Sequence, residues 1–291
     1  MRKKNKFFII GSSGLIGTEI CENLRKKGIK YFSSDKNYNI TKKSFYIYLN
    51  KKKPNVIINC SSHPGGLSFK EPLKDTEVNY LANIKITEWC IKNHCKYIFL
   101  SSSAVYGDRK IKKKIKEVDH KIPETIYGIN KLATEYFLIN YSKAKKFNWL
   151  ILRLFATYGP GHKLNNFQGI INVILNQALK GKKEIYLKGS KRRTRSLIHV
   201  NDAAEIIVRL SLSNSTNEIY NISSNETYSI AQIIDKLSGI LKKRFTIKEI
   251  KPTLGDPLHN LANINKIKFL KYKFQFNLKK GLIHTIKNIR K

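Results

Sequence analysis

A tyrosine and a lysine four positions apart are the residues of this sequence best suited to proton transfer. Tyr127 and Lys131 would project from one face of a helix, because residues four apart are neighbours on a helical surface. A phenol ionises with a pKa of about 10 in water, and a nearby ammonium group favours the phenolate. We therefore predict that Tyr127 is a general acid and base and that Lys131 lowers its pKa.

Three consecutive serines supply hydroxyl groups on the N-terminal side of this pair. Ser101, Ser102 and Ser103 lie where an apolar run, residues 97–101, predicts a strand. Doubly wound α/β sheets bind their ligands at the carboxyl ends of parallel strands. A serine hydroxyl at this end can form a hydrogen bond with a reacting oxygen, and capping of the strand end is the alternative role.

Three glycines near the start of the chain have the spacing of a phosphate-binding loop. They separate an apolar run over residues 6–10 from a helical pattern over residues 15–27. The first glycine permits a tight turn, the second lets backbone N–H groups approach a pyrophosphate, and the third lets the helix pack closely. A purely structural glycine turn is the alternative. The predicted cofactor-binding residues of this segment are Gly11, Gly14, Leu15, Ile16 and Gly17.

An acidic residue follows the second predicted strand, residues 29–34. Asp35 lies at about the distance from the last glycine at which dinucleotide-binding sequences carry an acidic residue. Its carboxylate can accept hydrogen bonds from the adenosine ribose and would repel the 2′-phosphate of NADP. Lys36 favours that phosphate instead. We predict NAD as the cofactor, with NADP less favoured.

Apolar strands alternate with amphipathic helices, which predicts an α/β fold with a doubly wound, parallel Rossmann sheet. We assign residues 1–160, with about 190–215, to this dinucleotide-binding domain. Residues 161–189 and 216–291 are assigned to a smaller C-terminal α/β lobe that binds substrate. The predicted strands are residues 6–10, 29–34, 55–60, 97–101, 149–154 and 195–200; the predicted helices are residues 15–27, 75–93, 124–145, 167–180, 202–212, 229–241 and 279–288.

The chain carries a large excess of positive charge. It has 291 residues, with 56 basic against 20 acidic side chains and a formal net charge of +36. Such an excess admits a protein that binds nucleic acid or a membrane surface. The basic runs, however, are short and dispersed, with few aromatic residues beside them. We interpret most of the charge as lysines on a solvated surface and predict no nucleic-acid and no membrane partner.

The four cysteines indicate a reducing environment. Cys21, Cys60, Cys90 and Cys95 lack the paired spacing of a zinc site, so we predict no metal. The basic start is interrupted at once by the glycine loop, which argues against a signal peptide. We therefore predict a cytoplasmic protein.

Together these motifs resemble the extended short-chain dehydrogenases/reductases, and among them the NAD-dependent epimerase/dehydratase family that acts on nucleotide sugars. The resemblance covers nearly the whole chain. In addition to the motifs above, it includes residues 77–79, 101–107, 152–161, 195–202 and 220–224.

The resemblance implies catalytic roles for three residues. Tyr127 is the acid and base, Lys131 tunes it and holds the nicotinamide ribose, and Ser102 is the hydroxyl beside the reacting carbon, with Ser103 its near competitor. Family members that dehydrate carry Asp-Glu where this chain has Ser103 and Ala104, and decarboxylating members carry a glutamate in place of Ala104. Simple hydride chemistry at the sugar is therefore expected.

The resemblance also implies residues that bind cofactor and substrate. Ser61 would line the cofactor groove, and Asn79 would support the site from the neighbouring helix. The predicted substrate-binding residues are Arg195, which corresponds to the arginine that contacts the diphosphate, His63, a candidate to face the sugar, and Ser103.

Two positions depart from the family pattern. Ala156 stands where an asparagine is usual, and Thr253 stands where an arginine usually precedes a Gly-Asp pair by two residues. Both departures bear on the substrate more than on the fold.

We expect an NAD-dependent nucleotide-sugar 4-epimerase that works through a transient 4-keto sugar. The first alternative is an NAD(P)H-dependent nucleotide 4-ketosugar reductase. An alternative of another class is a non-catalytic basic protein that keeps the dinucleotide fold. By resemblance we also expect a homodimer that pairs through helices 75–93 and 124–145.

Overall fold

The computed structural model describes residues 5–34, 38–161, 169–181 and 183–289. Its strands are β1 (Phe7–Ile10), β2 (Tyr31–Ser34), β3 (Val56–Asn59), β4 (Lys96–Ser102), β5 (Trp149–Leu154), β6 (Ala156–Tyr158), β7 (Glu184–Lys188), β8 (Thr194–His199), β9 (Glu218–Ile222), β10 (Thr227–Ser229), β11 (Thr246–Ile250) and β12 (His259–Asn260). Its α-helices are α1 (Leu15–Lys26), α2 (Lys43–Lys52), α3 (Pro72–Thr76), α4 (Ala82–Lys92), α5 (Ile126–Ala144), α6 (Ile170–Leu179), α7 (Val200–Leu212), α8 (Ile230–Leu241) and α9 (Leu278–Lys287).

A six-stranded parallel sheet forms the centre, in the order β2-β1-β3-β4-β5-β9. Its central strands are apolar and buried on both faces, because helices cover both sides. Helices α1 and α7 pack on one face, and α2, α4 and α5 contribute apolar side chains to the other. The predicted α/β, doubly wound Rossmann fold is confirmed.

The strand order reverses between β1 and β3. The chain moves from β1 outward to β2, then returns to the other side of β1 for β3. The loops that leave β1 and β3 therefore diverge and open a crevice at the carboxyl ends of these strands. This crevice is the ligand site that the topology itself creates.

A smaller lobe lies beside the main sheet. Strand β8 pairs with β6, β10 and β12, while β7 pairs with β11, and helices α6, α8 and α9 share their apolar core. The structure departs from the predicted division at two strands. Glu218–Ile222, assigned to the lobe, pairs in register with β5 and completes the main sheet, because Tyr220 and Ile222 are apolar side chains of that core. Thr194–His199, assigned to the Rossmann domain, lies in the lobe sheet.

The predicted helix over residues 75–93 is interrupted by one wider turn. Helix α3 passes into a π-turn, Glu77–Leu81, before α4 begins. A π-turn inserts an extra residue and is frequent at functional sites. Here it surrounds Asn79, which is fully buried. None of the described helices has the length and apolar character needed to cross a membrane.

A buried ion pair ties α5 to the sheet. Arg153 on β5 and Glu135 on α5 are both almost fully buried, and their Nη2 and Oε2 atoms are 2.6 Å apart. Ser101, on β4, donates a hydrogen bond to Glu135 at 2.5 Å. The Arg153 guanidinium also donates to the Tyr106 hydroxyl at 2.8 Å. The pair therefore holds one helix against two strands.

Replacement of Glu135 tests this ion pair. Glu135→Gln leaves the Arg153 charge buried without its counter-ion, so we expect the free energy of unfolding to fall by about 3–5 kcal/mol. The matched control is Glu218→Gln, which removes the partner of Lys266 in an exposed pair and should cost at most about 1 kcal/mol. Denaturant titration measures both. Equal losses in the two variants would contradict the importance of the buried pair.

Candidate active site

A cavity of about 590 Å³ opens at the carboxyl ends of β1, β3, β4 and β5. Its position is the crevice that the reversal of strand order creates. The residues of its wall that matter most here are Gly11, Gly14, Leu15, Ile16, Ser61, Ser62, His63, Gly65, Ser102, Tyr127, Lys131 and Ala156. Across the described parts of the chain, no group of three or more histidine, cysteine and acidic side chains is arranged to hold a metal ion.

The glycine loop brings two backbones into close contact. Gly11 has a φ of +74°, and a Cβ added to it would lie 2.8 Å from the backbone nitrogen of Ser61. A Cβ on Gly17 would collide with the carbonyl oxygen of Gly11, so helix α1 can pack against the turn only without a side chain there. Gly14 caps α1, which therefore begins at the cavity. The loop leaves room for a phosphate at a helix N-terminus, so these residues fit a dinucleotide.

Ser61 is oriented by a buried amide. The Asn59 Oδ1 atom accepts hydrogen bonds from the Ser61 backbone N–H at 3.0 Å and from its hydroxyl at 2.6 Å. The Asn59 amide in turn donates to Asn83 Oδ1 at 2.9 Å. Ser61 thus lies in the cavity wall, where a cofactor-groove residue was predicted. Asp35, the predicted ribose ligand, lies outside the described residues.

Tyr127 lies in the first turn of helix α5 and lines the cavity. Thr125 caps the helix by accepting a hydrogen bond from Gly128 N–H at 3.0 Å. Gly128 permits close packing, because a Cβ there would lie 2.7 Å from the carbonyl oxygen of Ala104. The hydroxyl-bearing residues Ser62 and Ser102 line the same cavity as Tyr127. Burial raises the pKa of Tyr127, and these two hydroxyls oppose that rise.

Lys131 lies one turn further along the same helix. It is 2% exposed, and its Nζ donates to the carbonyl of Leu100 at 3.0 Å. The ammonium lies 5.6 Å from the centre of the Tyr127 ring. Burial lowers the pKa of Lys131 to about 8. The structure therefore brings the predicted tyrosine and lysine together in the wall of one cavity.

Ser102 and Ser103 point to different surroundings. The Ser102 hydroxyl oxygen accepts from Ala104 N–H at 3.2 Å, which leaves its proton free for Tyr127. Ser103 lies outside the cavity wall, and its hydroxyl accepts from the Asn260 side chain at 2.8 Å. The geometry therefore favours Ser102 over Ser103 as the hydroxyl beside the reacting atoms.

Asn79 lies behind the wall and holds the loop that follows β3. Its Oδ1 accepts from the Ser62 hydroxyl at 2.7 Å and from His63 N–H at 3.2 Å, and its Nδ2 donates to the His63 carbonyl at 3.2 Å. The His63 ring lies in the wall, between Asp75 Oδ2 at 3.4 Å and Glu71 Oε2 at 3.2 Å. Asn79 thus shapes the site from behind, without lining it.

Arg195, which was predicted to contact the diphosphate, lies outside the cavity wall, on the side of the lobe. It is 6% exposed and donates to Asp256 Oδ1 at 2.5 Å and to the Thr194 carbonyl at 2.8 Å. Arg193 pairs with the same carboxylate. Burial, helped by the charge of Arg193, lowers the pKa of Arg195 to about 9. Thr253 lies in the exposed segment just before Asp256.

Two polar residues at the site, Ser62 and Asp75, were not predicted from the sequence. Ser62 directly follows Ser61 in a pair of small residues, which is a signal that could have been used. Asp75 is fully buried and accepts from the Asn130 side chain at 2.8 Å. An acidic residue in the first turn of a helix usually only complements the helix dipole. The sequence alone therefore gave no sign that Asp75 is buried at the site.

Two glycine substitutions test the close contact at the loop. Gly11→Ala adds a side chain at a positive φ and against the backbone of Ser61, whereas Gly28→Ala has a similar φ of +65° with open space around it. We expect Gly28→Ala to cost about 1–2 kcal/mol of stability and Gly11→Ala about 1–3 kcal/mol more, with weaker NAD binding. Denaturant unfolding and NAD titration measure these effects. Equal stabilities would argue against a packing constraint at Gly11.

Comparison with known proteins identifies the family. Residues 7–223 match the NAD dependent epimerase/dehydratase family. The chain is 29% identical to dTDP-4-dehydro-6-deoxyglucose reductase of Escherichia coli over 192 residues, which cover 65% of this chain and 58% of the reductase. It is 26% identical to UDP-glucose 4-epimerase of Vibrio cholerae over 263 residues, which cover 83% of this chain and 78% of that enzyme.

A solved structure shows the same fold. The UDP-glucose 4-epimerase of Thermus thermophilus, crystallised in complex with NAD, aligns with a TM-score of 0.89 over 97% of this chain and 98% of that one, at 20% identity. The family match confirms the resemblance read from the motifs, and with it the predicted enzyme and its NAD cofactor. The chain belongs to the NAD-dependent epimerase/dehydratase family.

Proposed function

We propose that the chain is a nucleotide-sugar 4-epimerase. The observation that carries this proposal is the assembly of Tyr127, Lys131 and Ser102 in one cavity with the glycine loop. A tyrosine beside an ammonium and a serine hydroxyl is suited to move one proton at a sugar hydroxyl. Such an assembly also argues against a non-catalytic binding protein.

In this proposal the side chains of the protein carry out the proton transfer. Bound NAD supplies an acceptor and donor of two electrons for the C4–H bond. Tyr127, as its anion, takes the proton of the C4 hydroxyl and later returns it. Ser102 donates a hydrogen bond to the same oxygen, and Lys131 favours the tyrosinate by its charge. Rotation of the keto sugar between the two transfers inverts C4.

The same site is poorly suited to eliminate water. Ala104 has no acid or base, and the Ser103 hydroxyl is engaged by Asn260. No carboxylate therefore stands where the dehydrating relatives carry theirs. The proposal is accordingly limited to epimerisation or reduction at a keto position.

The binding residues are proposed from the family resemblance together with the lining of the cavity. For NAD we propose the loop backbone at the N-terminus of α1, with Ser61 and Lys131 further along the groove and Asp35 at the adenosine ribose. For the nucleotide diphosphate we propose Arg195, and His63 faces the sugar from the cavity wall. The full proposed cofactor set is Gly11, Gly14, Leu15, Ile16, Gly17, Asp35, Ser61 and Lys131, with Asn79 in support.

A 4-ketosugar reductase is the second candidate. It is supported by the similarity to the E. coli protein named dTDP-4-dehydro-6-deoxyglucose reductase. The two reactions use the same proton donor and differ in whether reducing equivalents are consumed. The choice between them is therefore a question of stoichiometry.

One experiment separates the two candidates. The protein is incubated in deuterated water with a panel of UDP, dTDP and GDP sugars and substoichiometric NAD, and products are read by proton NMR. An epimerase gives the C4 epimer without solvent deuterium at C4. Consumption of NAD(P)H in proportion to a keto sugar, with no epimer formed, would replace the proposal by the reductase.

Tyr127→Phe is the matching variant. It removes the proton carrier and should reduce turnover by about 10²–10⁴-fold while NAD still binds. Tyr141→Phe makes the same chemical change further along α5 and should retain activity. A Tyr127→Phe enzyme with normal turnover would contradict the proposed role.

The pH dependence of turnover tests Lys131. Because its pKa is lowered to about 8, its ammonium is lost as the pH rises through that value. We expect kcat/KM to fall above pH about 8, since kcat/KM reports the free enzyme. Lys131→Arg keeps its charge beyond this range, so the fall should move to higher pH, at a lower maximal rate. An unchanged alkaline limb in Lys131→Arg would assign it to another group.

We further infer a homodimer. Apolar side chains stand exposed on the α3–α4 segment and on α5, which pack against each other. They are Leu73, Leu81, Ile129 and Tyr136. A second copy would remove these side chains from water through a four-helix contact. Sedimentation velocity measures the predicted dimer.

A cytoplasmic location fits the thiols. Cys21, Cys60, Cys90 and Cys95 are all free. Free thiols are typical of a reducing compartment.

A further inference from the structure

Ser62 places a second serine hydroxyl next to Tyr127. It follows β3 and lines the same cavity as Tyr127, and its hydroxyl opposes the rise that burial causes in the pKa of Tyr127. The loop packs directly on the tyrosine, because a Cβ added to Gly65 would lie 3.1 Å from ring atoms of Tyr127. Two serine hydroxyls from separate elements, Ser62 after β3 and Ser102 at the end of β4, therefore line the cavity with Tyr127 and lower its pKa.

The two serines differ in whether the hydroxyl proton already has a hydrogen-bond acceptor. Ser102 accepts from Ala104 N–H, so its proton is available to the tyrosine. Ser62 instead donates its proton to Asn79 Oδ1 at 2.7 Å, with the His63 carbonyl oxygen at 3.1 Å as a second acceptor. Its remaining lone pairs can accept the phenol proton of neutral Tyr127. While the phenol is neutral, the Ser62 proton is therefore engaged by Asn79.

Asn79 can release the Ser62 proton without being left unpaired. Its Oδ1 also accepts from His63 N–H at 3.2 Å, and its Nδ2 is fixed by the His63 carbonyl at 3.2 Å. A tyrosinate oxygen is a stronger acceptor than a neutral amide oxygen, since hydrogen bonds to charged groups are about twice as strong. When Tyr127 ionises, the Ser62 hydroxyl thus gains by turning toward it, and no buried acceptor loses its last donor.

We propose that Ser62 is a positioning residue whose hydroxyl switches partner with the ionisation of Tyr127, from Asn79 when the phenol is neutral to the tyrosinate when it is charged. The proton stays on Ser62 throughout, and only its acceptor changes. The inference rests on the proposed acid and base role of Tyr127. It explains why a polar residue occupies the wall beside the reactive phenol.

The charged and titratable groups around Tyr127 are fixed by other contacts. Lys131 comes from its own helix, Asp75 from α3, and His63 and Cys60 from the segment after β3. Asp75 is held by Asn130, and His63 lies between two carboxylates. The Ser62 hydroxyl contacts the His63 backbone carbonyl and Asn79 but no ionisable side-chain atom of these groups, so the effect of its removal on Tyr127 can be isolated.

The test measures the ionisation of one phenol. A fluorinated tyrosine, whose phenol ionises nearer neutral pH, is incorporated at position 127 and titrated by fluorine NMR. We expect Ser62→Ala to raise its pKa by about one unit, a tenfold weaker acid, because one donor to the anion is lost. Ser62→Thr keeps a hydroxyl and should stay near the parent value. Ser142→Ala, on the far part of α5, is the control for a serine deletion and should leave the pKa unchanged.

The outcomes separate the switch from the overall reaction. An unchanged or lower pKa in Ser62→Ala, or an equal rise in Ser62→Thr, overturns the proposal. With the natural tyrosine, Ser62→Ala should shift the rising limb of kcat/KM, which reports the free enzyme, to higher pH by the same amount, with KM nearly unchanged. The phenol titration needs no sugar substrate, so a failed switch is distinct from a failed epimerase, which appears as absence of product with the parent protein.

Discussion

The attachment of helix α5 to the sheet is the constraint on which the site depends. The buried Glu135–Arg153 pair anchors the helix on β5, and Ser101 adds a bond from β4. Further toward the N-terminus of the helix, Gly128 lets it touch the turn after β4. Tyr127 and Lys131 project from the helix near these two fixed points. Their position relative to the serine at the end of β4 is thus a consequence of packing, and it requires no flexible loop.

Burial and hydrogen bonding compete at the reactive phenol. Desolvation raises the pKa of Tyr127 and lowers that of Lys131, so it opposes a tyrosinate–ammonium pair. The hydroxyls of Ser62 and Ser102 act in the opposite direction. A site that excludes water must therefore supply its own donors to the anion, and two strand ends of the parallel sheet provide them.

The two departures from the family pattern, Ala156 and Thr253, fall at positions where substrate contacts were expected. Ala156 presents only a methyl group to the cavity wall, and Thr253 stands in an exposed segment. Arg195 is held by Asp256, which it shares with Arg193. The guanidinium group proposed for the diphosphate is therefore already paired with a carboxylate, outside the cavity wall. The many dispersed lysines contribute to the general surface charge.

The sequence by itself determined the fold class, the glycine loop and the tyrosine–lysine pair of α5, because periodicity, glycine spacing and a separation of one helical turn act between near neighbours. Its strands and helices in the first half match the observed ones within a few residues, except for α2, which was not predicted. Only the tertiary structure placed Glu218–Ile222 in the main sheet, turned Ser103 toward Asn260 and brought Ser62 to Tyr127. Such distant contacts form because the whole core packs and because buried polar groups must find partners, and no short pattern of residues encodes that choice.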